Sequence, residues 1–438
     1  MIKRVSVLGL GYIGLPTAIL AAQAGYEVFG FDTEKEKVAR INNGDALILE
    51  PETTERLWRV LKSETFRAYT ELAPADCFII AVPTPLKDDS KEAQLDLVFQ
   101  AGDIIAKKLM PGNLVILEST VPVGTTERLA QRLEEHSGLK LGIDFFVTHS
   151  PERVMPGRIF RELVENDRII GGICQQSCEL AYFFYSKFVR GFLHVTNDKT
   201  AEMTKLIENS YRDVQVAFAN QVAEMCSQID LDPFQVIDLA NKHPRVKILS
   251  PGCGVGGHCI AIDPWFLVES FPQSSSLLRE ARAINDQKPT KVLAVIDEKI
   301  TEAKSRGREK PRVLILGLAF KPNVDDIRQS PALKIALTLK QRSDELDLQC
   351  YDHNVNPEQI AKAGIDPISD LWKGINWADI VVILVRHKEF SLIREEAFSD
   401  KLIVDACGLF YEMHVKNSKM LLEGATKLFY SASQQQVF

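Results

Sequence analysis

Short apolar runs alternate with longer helical segments in the first part of the chain. Runs rich in β-branched and apolar residues predict strands at residues 4–10, 26–31, 77–82, 114–117 and 145–148. Buried parallel strands read as continuous apolar runs, and the crossovers between them are usually helical. The alternation therefore predicts an α/β domain built on a parallel sheet.

The pattern becomes helical in the middle of the chain. Residues 200–229 contain no glycine or proline, and their apolar side chains recur at helical spacing, at Met203, Leu206, Ile207, Tyr211, Val214, Phe218, Val222, Met225 and Ile229. A second helix is predicted after Asp232-Pro233. Amphipathic helical sequence then covers about residues 275–303, with an interruption expected at Pro289 because proline breaks the helical ladder.

The last part of the chain repeats the first. A charged linker at residues 306–310 is followed by RVLILGL, which echoes RVSVLGL at the start. Residues 378–383 echo 75–80, and residues 401–407 resemble the strand at 114–117. The predicted fold class is α/β, with two Rossmann-like, doubly wound parallel-sheet domains joined by a long central helix. The predicted boundaries are 1–198, 199–304 and 305–438.

Length, composition and charge narrow the function classes. A chain of 438 residues is too long for one core, and 45% hydrophobic with 25% charged residues is ordinary for a globular protein. The net charge of −7 argues against nucleic acid as a partner, although a local basic patch can hold a phosphorylated ligand. No signal peptide, disulfide framework or membrane-spanning run is recognised, so we expect a cytoplasmic protein without a membrane partner.

The first strand leads into a glycine-rich turn. Gly9, Gly11 and Gly14 form GxGxxG between a strand and a helix, and Asp32 ends the next predicted strand. Such a carboxylate accepts hydrogen bonds from ribose hydroxyls and repels a 2′-phosphate, so the pattern favours NAD over NADP. The alternative is a βαβ turn with a structural role only.

Polar residues follow several strand ends, where open α/β sheets bind ligands. Pro83-Thr84-Pro85 and the hydroxyl-rich residues 118–126 stand at two of these ends. Thr125 and Thr126 are interpreted as helix caps. Glu152 follows the strand at 145–148, and both a functional role and a solvated turn position remain open for it.

A second glycine-rich stretch, residues 251–259, ends in Cys259, and Asp263 follows before a proline. If the segment after Cys259 is helical, thiol and carboxylate share one face, and the helix N-terminus favours a thiolate. This predicts a nucleophilic cysteine beside an acid/base carboxylate. The alternatives are a buried structural cysteine and a metal site made by Cys253, His258 and Cys259, but no matched Cys/His pair recurs at zinc-ligand spacing, so no metal is predicted.

Charged residues elsewhere have two interpretations each. Lys205, Asn209 and Asp213 stand at successive i, i+4 positions of the long helix, either as a surface stripe or with Lys205 and Asn209 facing the cysteine loop. Lys321 and Arg328 follow the first strand of the repeated domain and suit phosphate groups or solvent equally.

Seven ordered blocks resemble the nucleotide-sugar 6-dehydrogenases of the UDP-glucose dehydrogenase superfamily. They are GLGYIGLPTA, AVPTP, ESTVPVGTT, SPERVMPG, TAEMTKLIENSYRDV, GVGGHCIAIDPWF and GLAFKPNVDDIRQSPAL. The stretch NKHPRVKIL before the cysteine loop looks most like the branch acting on UDP-N-acetylmannosamine. The resemblance implies a four-electron, NAD-dependent oxidation of a sugar C6 alcohol to a carboxylate for surface polysaccharide precursors. UDP-N-acetylglucosamine and UDP-glucose are the alternative substrates.

The resemblance also implies residue roles. Cys259 would form a thiohemiacetal and then a thioester. Lys205 and Asn209 would stabilise an oxyanion, Asp263 would move protons, and Glu152 and Thr120 would serve thioester hydrolysis. The implied cofactor contacts are Gly9, Gly11, Tyr12, Ile13, Gly14, Asp32, Pro83, Thr84 and Thr120. The implied substrate contacts are Glu152, Arg153, Val154, Lys205, Asn209, Arg212, His243, Arg245, Gly256, Phe320 and Lys321.

The resemblance further implies a homodimer or larger homo-oligomer built on the helical middle region, with Arg245 reaching a neighbouring subunit's substrate. Two positions depart from the family pattern. Cys407 stands where a basic residue is common, so a basic contact is expected to be missing there. Cys253 stands where proline is common, and a regulatory disulfide between Cys253 and Cys259 under oxidation is a hypothesis. The rival functions are a two-electron hydroxyacid-type dehydrogenase, which has no use for Cys259, and an inactive NAD-binding scaffold, which has no use for the joint presence of Cys259, Asp263, Lys205 and Glu152.

Overall fold

The structure, a computed structural model, divides into two compact units. It describes residues 2–48, 50–87, 90–155, 157–257 and 259–415. Unit 1 comprises Met1–Ser210 and Ile262–Ser276, and unit 2 comprises Tyr211–Ala261 and Leu277–Phe438. The predicted boundaries at residues 198 and 304 stay predictions. The sequence of the last eight residues, 431–438, predicts a frayed tail, and these residues lie outside the described part of the chain.

Unit 1 is built on an eight-stranded sheet in the order β3-β2-β1-β4-β5-β6-β7-β8. Its strands are β1 (Arg4–Leu8), β2 (Glu27–Phe31), β3 (Phe66–Tyr69), β4 (Cys77–Ile80), β5 (Asn113–Leu117), β6 (Phe145–His149), β7 (Arg168–Gly172) and β8 (Leu193–Asn197). Every residue of β4 and β5 is buried, which requires cover on both faces of the sheet. The α/β prediction is therefore confirmed for this part of the chain.

One pairing in this sheet departs from the predicted parallel arrangement. β6 and β7 run antiparallel, whereas the other neighbouring pairs run parallel. An antiparallel neighbour starts at the sheet edge where the previous strand ended, so no crossover is needed. The connection at residues 150–167 consequently begins and ends at the carboxyl edge of β6, and this keeps Glu152 beside the ends of β5 and β6.

Unit 2 contains a smaller, all-parallel sheet in the order β10-β9-β11-β12. Its strands are β9 (Arg312–Leu316), β10 (Asp347–Tyr351), β11 (Ile380–Ile383) and β12 (Leu402–Asp405). This order matches β2-β1-β4-β5 of the first sheet, so the predicted repetition of the opening domain is confirmed.

The α-helices cover these sheets and the middle of the chain. They are α1 (Gly14–Gln23), α2 (Lys35–Asn42), α3 (Thr53–Lys62), α4 (Asp96–Ala106), α5 (Thr125–Ser137), α6 (Ile159–Glu165), α7 (Gln175–Tyr185), α8 (Asp198–Ser227), α9 (Pro233–Ala240), α10 (Asp263–Ser270), α11 (Ser276–Ser305), α12 (Pro331–Lys340), α13 (Pro357–Lys362) and α14 (Leu371–Trp377). Among the described residues, no helix combines the length and the apolarity that crossing a membrane requires.

Pro289 does not interrupt the second long helix, and this prediction was wrong. α11 is one helix of 30 residues with Pro289 inside it. The proline ring is buried, and a Cβ placed on Gly254 would lie 3.2 Å from its Cγ. A mid-helix proline costs a backbone hydrogen bond, but packing of its ring and of the flanking turns offsets that cost.

Candidate active site

The turn after β1 has the geometry that a dinucleotide pyrophosphate requires. Gly9 has φ +93°, and a Cβ there would lie 2.6 Å from the carbonyl oxygen of Ala81. A Cβ on Gly14 would clash with the carbonyl oxygen of Gly9. At Gly11, which is exposed, a Cβ would meet nothing within 4 Å among the described residues. The outer glycines are thus required by backbone packing, whereas the turn is open at the middle one, where a pyrophosphate approaches.

Asp32 lies directly after β2, where the sequence predicts a contact to a ribose. Its Oδ2 accepts hydrogen bonds from the Leu10 backbone N–H (3.0 Å) and from Lys37 Nζ (2.9 Å), and its Oδ1 accepts from the Glu34 N–H (3.1 Å). A carboxylate has about four acceptor positions, so Oδ1 keeps one for a ribose hydroxyl. Together with the open turn, this fits NAD.

The other predicted cofactor contacts lie in the same unit. The Tyr12 hydroxyl hydrogen-bonds to Glu50, and the Thr84 hydroxyl donates to the carbonyl oxygen of Thr120 at 2.7 Å. Ile13 is partly buried before α1, and Pro83 is exposed. Thr84 and Thr120, which follow neighbouring strands, are therefore brought together as the sheet order requires.

Lys205, Asn209 and Asp263, the predicted acid/base cluster, lie together in unit 1. Lys205 and Asn209 stand one turn apart on α8, and Asn209 Nδ2 donates to Asp263 Oδ2 at 2.5 Å. Burial of Asp263, which is 3% exposed, raises its pKa from 3.8 to about 6, against the opposing charge of Lys205 and the Asn209 hydrogen bond. A carboxyl group with this pKa exchanges protons near neutral pH. Asp213, the third residue of the predicted stripe, instead pairs with Arg282 in unit 2 at 2.6 Å.

Cys259 is an exposed cysteine that belongs to unit 2. It does not lie in a helix, because α10 begins four residues later at Asp263. The residue before a proline is disfavoured within a helix, so the Asp263-Pro264 pair starts the helix instead of continuing one. The expected thiol at a helix start is therefore not found. The alternative metal site includes His258, which lies outside the described residues.

The glycines before Cys259 are required by close packing on protein backbone. A Cβ on Gly256 would clash with the carbonyl oxygen of Gln329 and lie 2.7 Å from Pro331 Cδ. Gly257 has φ +83°, and its Cβ would lie 3.0 Å from the ring of Phe320. The glycine loop thus rests on the segment of unit 2 that carries two predicted substrate contacts, Phe320 and Lys321.

The cysteines at the two unusual positions are buried. Burial raises the pKa of Cys253 to about 12 and raises that of Cys407 well above its ordinary value. Both thiols are therefore protonated at neutral pH and are poor nucleophiles. The disulfide between Cys253 and Cys259 stays a prediction.

A buried charged network surrounds Glu152, and sequence reasoning missed it. Arg168, at the start of β7, contacts Glu152 and lies 3.0 Å from Glu118, the residue after β5. Glu118 also accepts from the Tyr185 hydroxyl at 2.8 Å, and Arg168 lies 3.9 Å from the centroid of the Tyr185 ring. The signal was available, since a glutamate directly after the apolar run at residues 114–117 is expected to be buried and then needs a cation. Glu152 is therefore part of an ionic cluster, and the solvated turn position is excluded.

His149 is a second buried group at this sheet edge. It is fully buried at the end of β6, and neither ring nitrogen has a hydrogen-bond partner among the described residues. Burial lowers its pKa to about 3, with a smaller contribution from the charge of Lys205. His149 is therefore neutral at every physiological pH.

Thr125 and Thr126 do not cap α5 with their side chains, contrary to prediction. Glu202 of α8 accepts from the backbone N–H groups of Gly124 (2.6 Å) and Thr126 (2.7 Å), and the Thr126 hydroxyl also donates to it. A carboxylate satisfies several free N–H groups at once, and the positive end of the helix dipole favours it there.

The remaining predicted substrate contacts are spread over both units. In unit 1, Arg153 donates to Glu208 at 2.8 Å, and Val154 packs against the main apolar core. In unit 2, Arg212, His243 and Arg245 are exposed, and Lys321 Nζ lies 5.5 Å from the centroid of the Phe320 ring.

Three domain profiles of one protein family match the chain. In the UDP-glucose/GDP-mannose dehydrogenase family, the NAD binding domain matches residues 3–189, the central domain residues 199–287, and the UDP binding domain residues 314–412. Most of the chain is covered, in the family's domain order.

Individual proteins are similar over nearly the whole chain. A UDP-N-acetyl-D-mannosamine dehydrogenase of Campylobacter jejuni is 45% identical over 410 residues, which cover 92% of this chain and 98% of that protein. An NDP-N-acetyl-D-galactosaminuronic acid dehydrogenase of Ralstonia solanacearum is 43% identical over 416 residues, covering 93% and 96%. The solved structure of a UDP-D-ManNAc dehydrogenase from Pyrococcus horikoshii matches with a TM-score of 0.85 at 40% identity, covering 93% of this chain and 96% of that one.

Proposed function

The chain belongs to the UDP-glucose/GDP-mannose dehydrogenase family, and from this membership we propose that it oxidises the C6 hydroxyl of UDP-N-acetylmannosamine (UDP-ManNAc) to the carboxylate of UDP-N-acetylmannosaminuronic acid. The enzyme class, an NAD-dependent UDP-sugar dehydrogenase, follows from the family itself. The choice of sugar is carried by full-length similarity to proteins named UDP-ManNAc dehydrogenase. Supply of a precursor for surface polysaccharide is the proposed purpose.

The reaction removes four electrons from one carbon and needs a covalent stage. Bound NAD⁺ supplies the hydride acceptor, and one is consumed in each of the two oxidations. Between the two oxidations, the Cys259 thiolate adds to the C6 aldehyde. The resulting tetrahedral adduct can give up its C6 hydrogen as hydride, which a free aldehyde does not readily do. The second oxidation leaves a thioester on Cys259. Water then adds its oxygen to the acyl carbon, the C–S bond breaks, and the thiolate is restored.

The acid/base cluster of unit 1 suits the proton steps. Each oxidation releases a hydroxyl proton, and a carboxylate with a pKa of about 6 accepts it at neutral pH. The Lys205 ammonium and the Asn209 amide are donors suited to an alkoxide at C6. Glu152, held by Arg168, is the proposed base for the hydrolytic water, with Thr120 as its hydroxyl partner.

A second candidate substrate follows from the comparisons. The similarity to NDP-N-acetyl-D-galactosaminuronic acid dehydrogenases favours an N-acetylgalactosamine nucleotide as the next possibility. UDP-N-acetylglucosamine and UDP-glucose remain alternatives for the same chemistry, and the Cys259 stage separates all of them from a two-electron dehydrogenase.

Homodimerisation and a cytoplasmic location complete the proposal. Tyr211, Phe218 and Met225 recur at seven-residue intervals on α8, with Ile229 just beyond its end, and all four are exposed. A continuous apolar stripe of this kind supports association of α8 with a second copy of the chain. The exposed Arg245 suits the proposed reach into a neighbouring subunit's substrate.

The test is the amount of NADH formed per mole of limiting sugar nucleotide, measured with UDP-ManNAc, UDP-GalNAc, UDP-GlcNAc and UDP-glucose. Two NADH with UDP-ManNAc alone is the expected result. Two NADH with another sugar overturns the substrate, and one NADH with any sugar overturns the role of Cys259. Cys259→Ser is expected to abolish the two-NADH turnover, whereas the matched control Cys174→Ser, at a partly buried free thiol, keeps it.

A further inference from the structure

The two sheets carry equivalent aspartates at equivalent strand ends. Asp32 follows β2, and Asp352 follows β10. The backbone N–H of Leu10 donates to Asp32 at 3.0 Å, and that of Leu318 donates to Asp352 at 2.6 Å. Both donors lie two residues beyond the first strand of their sheet, after glycines with φ near +90°. The second domain therefore keeps the acidic residue that holds a ribose in dinucleotide-binding domains.

Unlike Asp32, Asp352 has no acceptor position left for a ribose. Its Oδ1 accepts from the N–H groups of Asn354 (2.9 Å) and Val355 (3.1 Å), and its Oδ2 accepts from those of Leu318 and Ala319 (3.1 Å). His387 Nε2 lies 3.1 Å from the same Oδ2. Five donors fill the roughly four acceptor positions of a carboxylate. Nucleotide binding in this domain must therefore rely on other groups.

His387 is the residue that distinguishes the two domains. Ile80 of β4 pairs with Leu8, and Ile383 of β11 pairs with Leu316, so β4 and β11 are equivalent strands. Thr84, a predicted cofactor contact, stands four residues after Ile80, and His387 stands four residues after Ile383, so the two occupy equivalent positions. His387 is fully buried. An imidazole thus fills a position that the dinucleotide-binding unit leaves to a small hydroxyl residue.

The other ring nitrogen of His387 holds the turn after β9. Nδ1 accepts the backbone N–H of Asn323 at 3.0 Å and lies 2.7 Å from Asn354 Nδ2. Because a backbone N–H only donates, Nδ1 is unprotonated and Nε2 carries the proton toward Asp352. Asn323 has φ +60°, a strained conformation for a side-chain-bearing residue, and its Oδ1 accepts from the Lys388 N–H at 2.9 Å.

The turn that His387 holds carries Lys321, a predicted substrate contact whose charge suits a phosphate group. Asn323 stands two residues after Lys321, and Phe320 of the same turn packs against Gly257. A strained turn keeps its shape only where its surroundings fix it, and Asp352 and His387 supply several of the contacts that do so, together with the Lys388 N–H.

We propose that His387, anchored by Asp352, is a positioning residue that shapes the Ala319–Asn323 turn to bind the diphosphate of the UDP-sugar through Lys321. This rests on the proposed function and deepens it, since it assigns substrate affinity to a residue too buried to touch substrate. Loss of His387 raises the KM for the UDP-sugar and the Kd for UDP, while NAD binding in unit 1 is unchanged.

The experiment compares His387→Ala, His387→Asn and His387→Gln in the full-length enzyme. Asn places an oxygen where Nδ1 lies and keeps the acceptor for the Asn323 N–H, whereas Gln places its amide near Nε2 and keeps only the Asp352 contact. UDP affinity is measured by calorimetry without sugar, and KM and kcat are measured for UDP-ManNAc and NAD. His414→Asn, at an exposed histidine, is the matched control.

Loss of the turn acceptor is expected to weaken UDP binding by about tenfold in the Ala and Gln variants. The Asn variant is expected within about threefold of wild type, and KM for NAD within about twofold in all of them. Equal UDP affinity in wild type and the Ala variant overturns the proposal, as does an Asn variant no better than the Ala variant. A purely structural role would lower thermal stability in all three without this order.

If the Ala variant does not fold, the comparison of the Asn and Gln variants gives the answer, because only Asn keeps an acceptor for the Asn323 N–H. A weaker UDP affinity in the Gln variant than in the Asn variant supports the proposal, and equal affinities overturn it. A wild-type enzyme that binds UDP but oxidises none of the four sugars refutes the proposed function alone, since the UDP affinities still decide the role of His387.

Discussion

Asp263→Asn is expected to stabilise the protein at alkaline pH while it abolishes activity. Burial raises the Asp263 pKa from 3.8 to about 6, so the native state binds this proton more tightly than the unfolded chain does. The stability contributed by the protonated form is complete below pH 4 and is lost as pH rises through 6. Relative to the fully protonated carboxyl group, the free energy of unfolding is lower by about 1.5 kcal/mol at pH 5 and by about 3 kcal/mol at pH 8. Asparagine has nearly the same shape and carries no such cost.

The measurement is the thermal midpoint of wild type and variant at pH 5 and pH 8. For a unit of this size, each kcal/mol shifts the thermal midpoint by about 2–4 °C. The midpoint of Asp263→Asn is therefore expected to lie about 6–12 °C above that of wild type at pH 8, and the difference at pH 5 is expected to be about half of that. Asp96→Asn, at an exposed aspartate of unit 1, is the matched control variant. A variant whose advantage is the same at both pH values would refute the assignment of a buried, raised-pKa carboxyl group.

Three further substitutions test other contacts. Arg282→Met leaves the Asp213 carboxylate buried without its cation and should lower the free energy of unfolding in urea by about 3–5 kcal/mol. Adding Asp213→Leu should restore much of that loss, and no recovery would contradict the ionic cause. Gly256→Ala should lower turnover without changing NAD affinity, because the added Cβ clashes with the segment under the cysteine loop. The control Gly252→Ala should behave as wild type, because a Cβ there meets no atom within 4 Å among the described residues. Glu202→Ala should cost about 1–3 kcal/mol in thermal unfolding, since it leaves the backbone N–H groups of Gly124 and Thr126 at the start of α5 without their acceptor, and an unchanged midpoint would exclude that capping role.

Features with a local cause were predictable from the sequence. The strands, the long helix α8 and the repeated domain follow from apolar periodicity. The GxGxxG turn follows from positions where only glycine fits the backbone, as the Gly9 and Gly14 geometry confirms. Asp32 was predictable because a strand end fixes where its side chain lies.

Features that depend on residues far apart in sequence were not predictable in the same way. The helix containing Pro289 is continuous because its ring packs near Gly254, 35 positions earlier. The capping of α5 comes from Glu202 of α8, 76 residues beyond Thr126, and not from the adjacent threonines. The Glu118–Arg168 pair joins residues 50 positions apart, and only the antiparallel placement of β7 brings them together.

By itself, the sequence determined which elements form and which chemical groups the protein carries, because backbone propensity, apolar periodicity and side-chain type are properties of each short segment. The tertiary structure alone decided the state of those groups. Asp263 and Asp352 have the same side chain, yet burial raises the pKa of Asp263 to about 6 whereas hydrogen bonds from His387 and backbone N–H groups lower that of Asp352 despite its burial. The proton affinity of a carboxyl group depends on the dielectric, charges and donors around it, and folding brings these together from distant parts of the chain.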